Sequence, residues 1–423
     1  MVKRALVATL ALGALAVACQ IVAGIERVDK VTAQSDASDA VAPPGPDGPT
    51  DPCEHVEPAN APATDDDTTE LPTFFVALRT IDLLAKNDAG TLLGYDLDHV
   101  CTCDTRPLTF GAGRPACAPR GMDPKIQCDE DGGIDNQSAR LFNLYDQPPL
   151  SINNAADINN QIADGHQTIV LSIAKYNGRA NDRDVLVGLL VSRGLRTQPA
   201  PSPGCTSTLN AGTGEWKPAW CGDDAWTITR ASTLAGTMIP ARTARAYVSN
   251  YQLVADVANG DTVVPFGPTA ISLGDAVFTG RIVPLGTDLQ PRDGTKPPAA
   301  AEQRLYRIDD ALMSGRLAVH DMLAVAGTFA VPNTDAGRHL CADNQFFLVQ
   351  AGVCSYLDLP ASPADDLDAA APCNALSFGA SFTAFPVLEG DLYDPPPDVN
   401  ECLPLADGGP PPASKPGVSY DCP

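Results

Sequence analysis

The chain has 423 residues, of which 52 are acidic and 28 are Lys or Arg, giving a net charge of −24 and a pI near 4.4. Such a field repels phosphate backbones, which excludes nucleic acid as a partner and disfavours anionic substrates; cations and neutral glycans stay open. With 35 Gly and 39 Pro, the composition suits many short strands and long loops rather than a helical bundle.

Lys3 and Arg4 precede an apolar run, Ala5 to Ala18. It falls short of the about 20 residues that span a bilayer, so residues 1–18 read as a signal peptide. Leu15-Ala16-Val17-Ala18-Cys19 has the outline of a bacterial lipobox, with Leu at −4 and Ala16 at −3 where Leu is usual. The chain holds 13 cysteines, an odd count. Acylation of Cys19 leaves an even number for disulfides, as an exported protein requires. The plainer alternative is cleavage near Ala18, leaving a soluble protein with an unpaired thiol. Gln20 after the cysteine points to the outer membrane, and a membrane contact made through lipid alone fits a chain with no later apolar segment of spanning length.

Residues 19–70 are rich in Asp, Pro, Ala and Thr, which predicts an acidic, Pro-rich disordered tether with Cys53 clipping its second half to the body. The body is expected over 71–390, with a Cys-rich loop at 101–136. Phe74–Leu84 reads as a strand paired with Thr91–Asp98 across the turn signal Asn87-Asp-Ala-Gly90. Asn136 is placed to cap a helix carrying Leu141, Phe142 and Leu144; a second helix runs through Ile158 and Ile162 and stops at Gly165. Strand signals follow at Thr168–Ala174, Val185–Ser192, Trp226–Arg230, Arg245–Asp256, Ile271–Val283 and Leu305–Ile308. A short helix is expected near Val319–Ala326, and a hairpin from Phe346–Val349 with Val353–Leu359. The Pro-rich segment 391–423 closes the chain as a tail. Together these favour a mostly β fold, an antiparallel β-sandwich of jelly-roll type with short helical insertions, stapled by disulfides. Proximity suggests the pairs Cys205–Cys221, Cys341–Cys354 and Cys402–Cys422.

Four features bear on chemistry. Asp129, Asp131 and Asp135 surround Gly132-Gly133, and calcium loops set acidic oxygens around a glycine turn because hard cations take about six to eight oxygen ligands. Asp96 and Asp98 are near enough in sequence to contribute. No glutamate follows at EF-hand distance, so a solvated acidic turn before the Asn136 cap is the other reading. Trp216, Trp220 and Trp226 cluster near Glu215, Asp223 and Asp224, either as a glycan-binding or glycan-cleaving platform or as packing beside a Cys205–Cys221 bridge. Leu273–Ile282 echoes Ile308–Leu317, matching Asp-Ala and Gly-Arg at the same spacing. Gly280 and Gly315 would then supply φ > 0 or bulge geometry; the sharper alternative sets Arg281 and Arg316 on one face as anchors for carboxylates, internal or from a ligand, and internal partners are expected. No hydrolase, metalloprotease or phosphate-loop motif is present, and the five histidines are scattered. Catalytic residues are therefore not assigned, and enzyme activity is not the favoured reading.

Cys19-Gln-Ile-Val-Ala-Gly-Ile25, Cys53-Glu-His55, Gly94-Tyr-Asp-Leu-Asp98 leading into Cys101-Thr-Cys103, and Cys128 through Asp135-Asn136 give the chain a pattern that resembles predicted surface lipoproteins of myxobacteria. The resemblance spans Cys19 to about Leu323 and rests on cysteine and turn landmarks. It implies a lipid-anchored extracytoplasmic location and architecture but no site. The functional expectation is a role in binding, adhesion or envelope structure, with a glycan or a surface protein as partner.

Overall fold

Eight strands close into a single antiparallel barrel, built in chain order. They are β1 (Phe74–Asp82), β2 (Thr168–Ala174), β3 (Asp182–Ser192), β7 (Thr243–Ser249), β8 (Gln252–Val257), β10 (Thr269–Pro284), β11 (Tyr306–Ala318) and β12 (Ala375–Leu392). Short strands β4 (Leu209–Asn210), β5 (Glu215–Trp216) and β6 (Ala225–Ile228) form an insertion after β3, and β9 (Thr262–Phe266) pairs with β10. The computed structural model describes residues 55–102, 117–118, 128–146, 154–199, 205–235, 237–257, 262–266, 269–329, 331, 339–366, 368, 370–394, 402 and 419–423. The signal peptide, Cys19, Cys53, Cys103 and most of the C-terminal tail lie outside them.

The barrel replaces the expected sandwich. Closure comes from β12, which pairs with β11 along one edge and with β1 along the other, in the register Phe75↔Val387 to Asp82↔Ser381. A count of strands and turns does not distinguish two stacked sheets from one closed sheet; the pairing of first and last strands does. Two long strands bend where the ladder slips. Asp275 and Asp310, at φ 47° and φ 49°, sit at bulges in β10 and β11. The sequence echo thus marks matched bulges, although the left-handed residue is the aspartate rather than the glycine. Gly280 and Gly315 instead allow close approach, since a Cβ would stand 2.3 Å from Ile308 Cγ2 and 2.7 Å from Leu273 Cγ, respectively.

Period-2 alternation sorts the strand faces. On β7, Ala244, Ala246 and Val248 point inward while Thr243 and Arg245 face solvent. Apolar side chains fill the barrel. Leu171, Val187, Leu189, Ala255, Phe278 and Met313 border a void of about 10 Å³, at the lower limit for one water and without polar partners to hold it. Phe74, Tyr176 and Tyr306 plug one end, with ring centroids of Phe74 and Tyr306 at 4.6 Å. Helices cover the other: α1 (Gln137–Tyr145), α2 (Asn154–Ala163), α3 (Val319–Gly327) and α4 (Phe346–Tyr356). Phe142, Leu323, Phe346 and Val353 carry the core into this cap.

Several local expectations hold, and four do not. Asn136 caps α1 by accepting from Ala139 N–H at 3.3 Å, and α2 ends before Gly165 at φ 79°. The run Arg245–Asp256 is two strands, not one, because Asn250 and Tyr251 turn the chain at φ 51° and 64°. Thr91–Asp98 joins no strand; it makes only isolated bridges, Leu92 to Lys86 and Tyr95 to Asp135, while β2 and β12 take the edges of β1. The expected hairpin over 346–359 is helix α4. Gly352 reads as a turn but serves packing: a Cβ there would lie 2.9 Å from the hydroxyl of Tyr145. Helix α4 also rewires the disulfides. Cys205–Cys221 forms as expected, whereas Cys341 joins Cys402 and Cys354 joins Cys422, with Cys117–Cys373 across a separation of 256 residues. Without the hairpin that would set them opposite each other, Cys354 on helix α4 and Cys341 ahead of it each pair with the C-terminal segment. Each such bridge contributes about 2–4 kcal/mol, and together they assign the folded body to an oxidising, extracytoplasmic compartment. No helix among the described residues is long and apolar enough to cross a membrane.

Candidate functional site

Three pieces of irregular chain meet against the barrel beside the N-terminus of α1. Val56 N–H donates to Gly132 O at 3.0 Å, Asp96 N–H to Val56 O at 3.0 Å, and Asp135 N–H to Tyr95 O at 3.0 Å. The segment preceding β1 is therefore laid onto the body from His55 onward; farther along, Leu71 N–H donates to Tyr176 O at 2.8 Å. Gly132 and Gly133, at φ 84° and 72°, make the turn that only glycine enters without strain. Gly133 also has to be bare, since a Cβ would stand 2.5 Å from Asp96 Oδ2.

This crossing gathers carboxylates. Asp96, Asp98, Asp135 and Asp358 are each at least nine-tenths buried, and Asp129 is partly buried beside them. Asp135 Oδ2 accepts from Leu97 N–H at 2.7 Å, Asp98 Oδ1 from Val100 N–H at 2.8 Å, and Asp129 Oδ2 from Thr102 N–H at 2.5 Å. Asp358 accepts from Ser377 N–H at 2.9 Å and from its hydroxyl at 2.5 Å. His55 Nδ1 bonds Asp96 Oδ2. One oxygen from each of Asp96, Asp98 and Asp135 lies within 4.8 Å of the others.

Burial raises the proton affinity of four of these acids, reinforced by neighbouring carboxylates at Asp98, Asp129 and Asp135 and opposed by the Ser377 hydrogen bonds and Arg316 at Asp358. Asp98 is pushed up to about 8, Asp358 to about 7, and Asp129 and Asp135 stand well above the usual carboxyl range. Arg316 approaches the cluster but is already committed. It is 1% exposed and clamps both oxygens of Asp366 at 2.6 Å, while donating to Leu97 O at 2.7 Å and Pro360 O at 3.1 Å. Burial pulls its guanidinium down, and Asp366, helped by Asp275 and Asp135, more than offsets this. The expectation of internal carboxylate partners holds for Arg316; Arg281, its counterpart in the echo, is exposed.

Of the three aspartates singled out for calcium, the fold buries Asp135, places Asp129 at the edge and leaves Asp131 exposed on the turn. Asp96 and Asp98 enter through the Tyr95–Asp135 bridge. Asp358 comes from the segment after α4 and carries no local signal, because only the pairing of its region with β12 brings it here.

The tryptophans are brought together on the outer wall over β1–β3. Trp226 is fully buried against Ala77, Val170, Leu190 and Val387. Trp220 packs on Trp226 and Phe385, at centroid distances of 6.1 and 6.3 Å, and the Arg79 guanidinium lies 4.4 Å from the Phe385 ring. The nearby acids serve the scaffold. Asp224 accepts from Ala219 N–H at 2.9 Å and Trp220 N–H at 2.7 Å, Glu215 pairs with His166 and Arg196, and Asp223 with Arg304 at 3.4 Å. The His55–Asp96–Cys101 group offers no thiolate, because Cys101 is disulfide-bonded.

No protein-family model, curated protein or solved structure matches this chain.

Proposed function

We propose that this chain is a non-enzymatic, extracytoplasmic lipoprotein, anchored through Cys19 in the outer membrane, whose barrel is a rigid body presenting its loops for binding, adhesion or envelope structure. The observation that carries this reading is the filled interior. An eight-stranded barrel is at the size where the lumen either holds one small ligand or is occupied by side chains. Here Leu171, Val187, Phe278 and Met313 occupy it, an aromatic plug closes one end and four helices cap the other. Work is thereby moved to the outside. Outward positions such as Arg245, Asp256, Arg281 and Asp310 are exposed and charged, the reverse of a barrel that faces lipid with apolar side chains.

The anchor is supported by the Leu15–Cys19 lipobox outline, the odd cysteine count and the resemblance to myxobacterial surface lipoproteins. Radiolabelled palmitate should enter the wild-type protein and not Cys19→Ala, which should leave the membrane fraction. A Cys19→Ala protein that stays with membranes would sink the anchor. The lumen is tested separately with a fluorescent fatty acid. Stoichiometric, saturable uptake by the folded protein would show a carrier and overturn the display role.

A further inference from the structure

We propose that Asp96, Asp98 and Asp135 form a buried calcium site that locks the N-terminal segment and the Cys-rich loop onto the barrel. Their oxygens lie within 4.8 Å of one another. Two oxygens on one calcium, each about 2.3–2.6 Å from it, stand at most about 5 Å apart, so every pair of the three is within the span that one ion bridges.

An independent observation points to a ligand. The Asp96 side chain is 0% exposed, and its Oδ1 has no hydrogen-bond partner among the described residues. His55 and the bare backbone of Gly133 lie against Oδ2, so Oδ1 is the oxygen left for the cluster. A buried carboxylate oxygen without a partner is costly, and a cation removes that cost. Arg316, the buried cation nearby, gives its charged hydrogen bonds to both oxygens of Asp366 and makes none to Asp96, Asp98 or Asp135. Asp129 and Asp358 add negative charge around the three ligands.

The donor chemistry selects the metal. The three ligands are all carboxylate oxygens, which favours a hard cation over zinc or copper; His55 is engaged with Asp96 Oδ2, and Cys101 is tied up in a disulfide. Magnesium demands a compact octahedron at about 2.0–2.1 Å and keeps several waters, which suits a buried, irregular loop crossing poorly. Calcium tolerates that irregularity, and extracytoplasmic calcium modules work at about 10⁻⁴–10⁻³ M.

The site differs from the turn read in sequence, because exposed Asp131 is not a ligand. That supplies the control. The purified, oxidised full chain is stripped with EDTA and titrated with calcium by calorimetry, then melted with and without the ion. The expected result is one saturable site, little response to magnesium and a melting temperature raised by several degrees. Asp98→Asn and Asp135→Asn should each weaken calcium binding at least about tenfold, in line with the dependence of affinity on ligand charge; Asp131→Asn should leave it unchanged. Wild-type protein with no saturable calcium binding and the same melt in EDTA overturns the proposal, whether or not the variants fold. Loss of binding in Asp131→Asn equal to that in Asp98→Asn also overturns it, by placing the ion on the exposed turn.

Discussion

Two stretches of irregular chain cover this barrel from outside, and they settle their polar groups in different ways. The β4–β6 insertion lays Trp226 on the outer faces of β1, β2 and β3, and its one fully buried acid, Asp224, is answered by two backbone N–H groups of its own loop. The crossing of 95–102 with 128–136 lays carboxylates instead, and leaves more buried negative charge than Arg316 can match once Asp366 has taken its share. The first covering meets its buried acid with the chain's own N–H groups and leaves only a neutral donor, the Trp226 indole N–H, without a partner among the described residues. The second depends on solution, through protons or a cation. Apolar burial is indifferent to what the solvent contains; buried carboxylates make a structure answerable to it.

The largest expected effects come from cutting one anchor on each side. Trp226→Ala should cost about 3–5 kcal/mol, as for other buried tryptophans. Arg316→Met should cost about 3–5 kcal/mol by stranding Asp366 near the acidic cluster. Urea midpoints at two pH values separate them: the Trp226 loss should be flat with pH, and the Arg316 loss should grow as pH rises. Equal pH profiles would erase the contrast between the two coverings.

The pH dependence of the unaltered protein comes next. With Asp98 held up to about 8 and Asp358 to about 7, against a usual carboxyl value of 3.8, the folded state binds protons more tightly than the unfolded chain. In EDTA, then, the stability these acids contribute is full below the unfolded value of 3.8, falls as pH rises from there, and is gone once pH has passed through about 7 to about 8. Saturating calcium should flatten that slope. A chain that in EDTA gains stability between about pH 5.5 and about pH 8.5 would contradict the assignment of buried, protonated acids.

Smaller changes sharpen the comparison. Asp224→Asn keeps one acceptor where two N–H groups converge and should cost about 1–2 kcal/mol, with no response to calcium, by thermal melt. Lys175→Ala removes an exposed pair with Asp184 and should stay within about 0.5 kcal/mol. A larger loss there would mean that surface pairs contribute more than their exposure allows.

Sequence patterns disclosed the parts of this molecule whose causes are local. The Asn136 cap, the stop at Gly165 and the Cys205–Cys221 bridge each depend on neighbours in sequence. Strand β2 was legible as an unbroken apolar run, and the fold explains why: the barrel buries one face and Trp226 covers the other. Helix α4 was not legible, because Phe346–Tyr356 is apolar nearly all round and periodicity is silent there. Strand β12 did carry a signal, Phe378, Ala380, Phe382 and Ala384 alternating inward, but its small residues and Gly379 hid it. Missing it cost the closure and so the distinction between barrel and sandwich. The acidic site divides the same way. Asp129 and Asp135 stand out beside their glycines, whereas Asp358 arrives through a pairing that no local pattern encodes.

That β1 lies beside β12 has a kinetic consequence. The chain is made from its N-terminus, so one edge of β1 stays open until the last strand is available to pair with it. Pairings this distant in sequence close slowly, and an open apolar edge invites another chain meanwhile. Barrel closure therefore has to outpace self-association, and the final barrel strand sets when the molecule becomes safe.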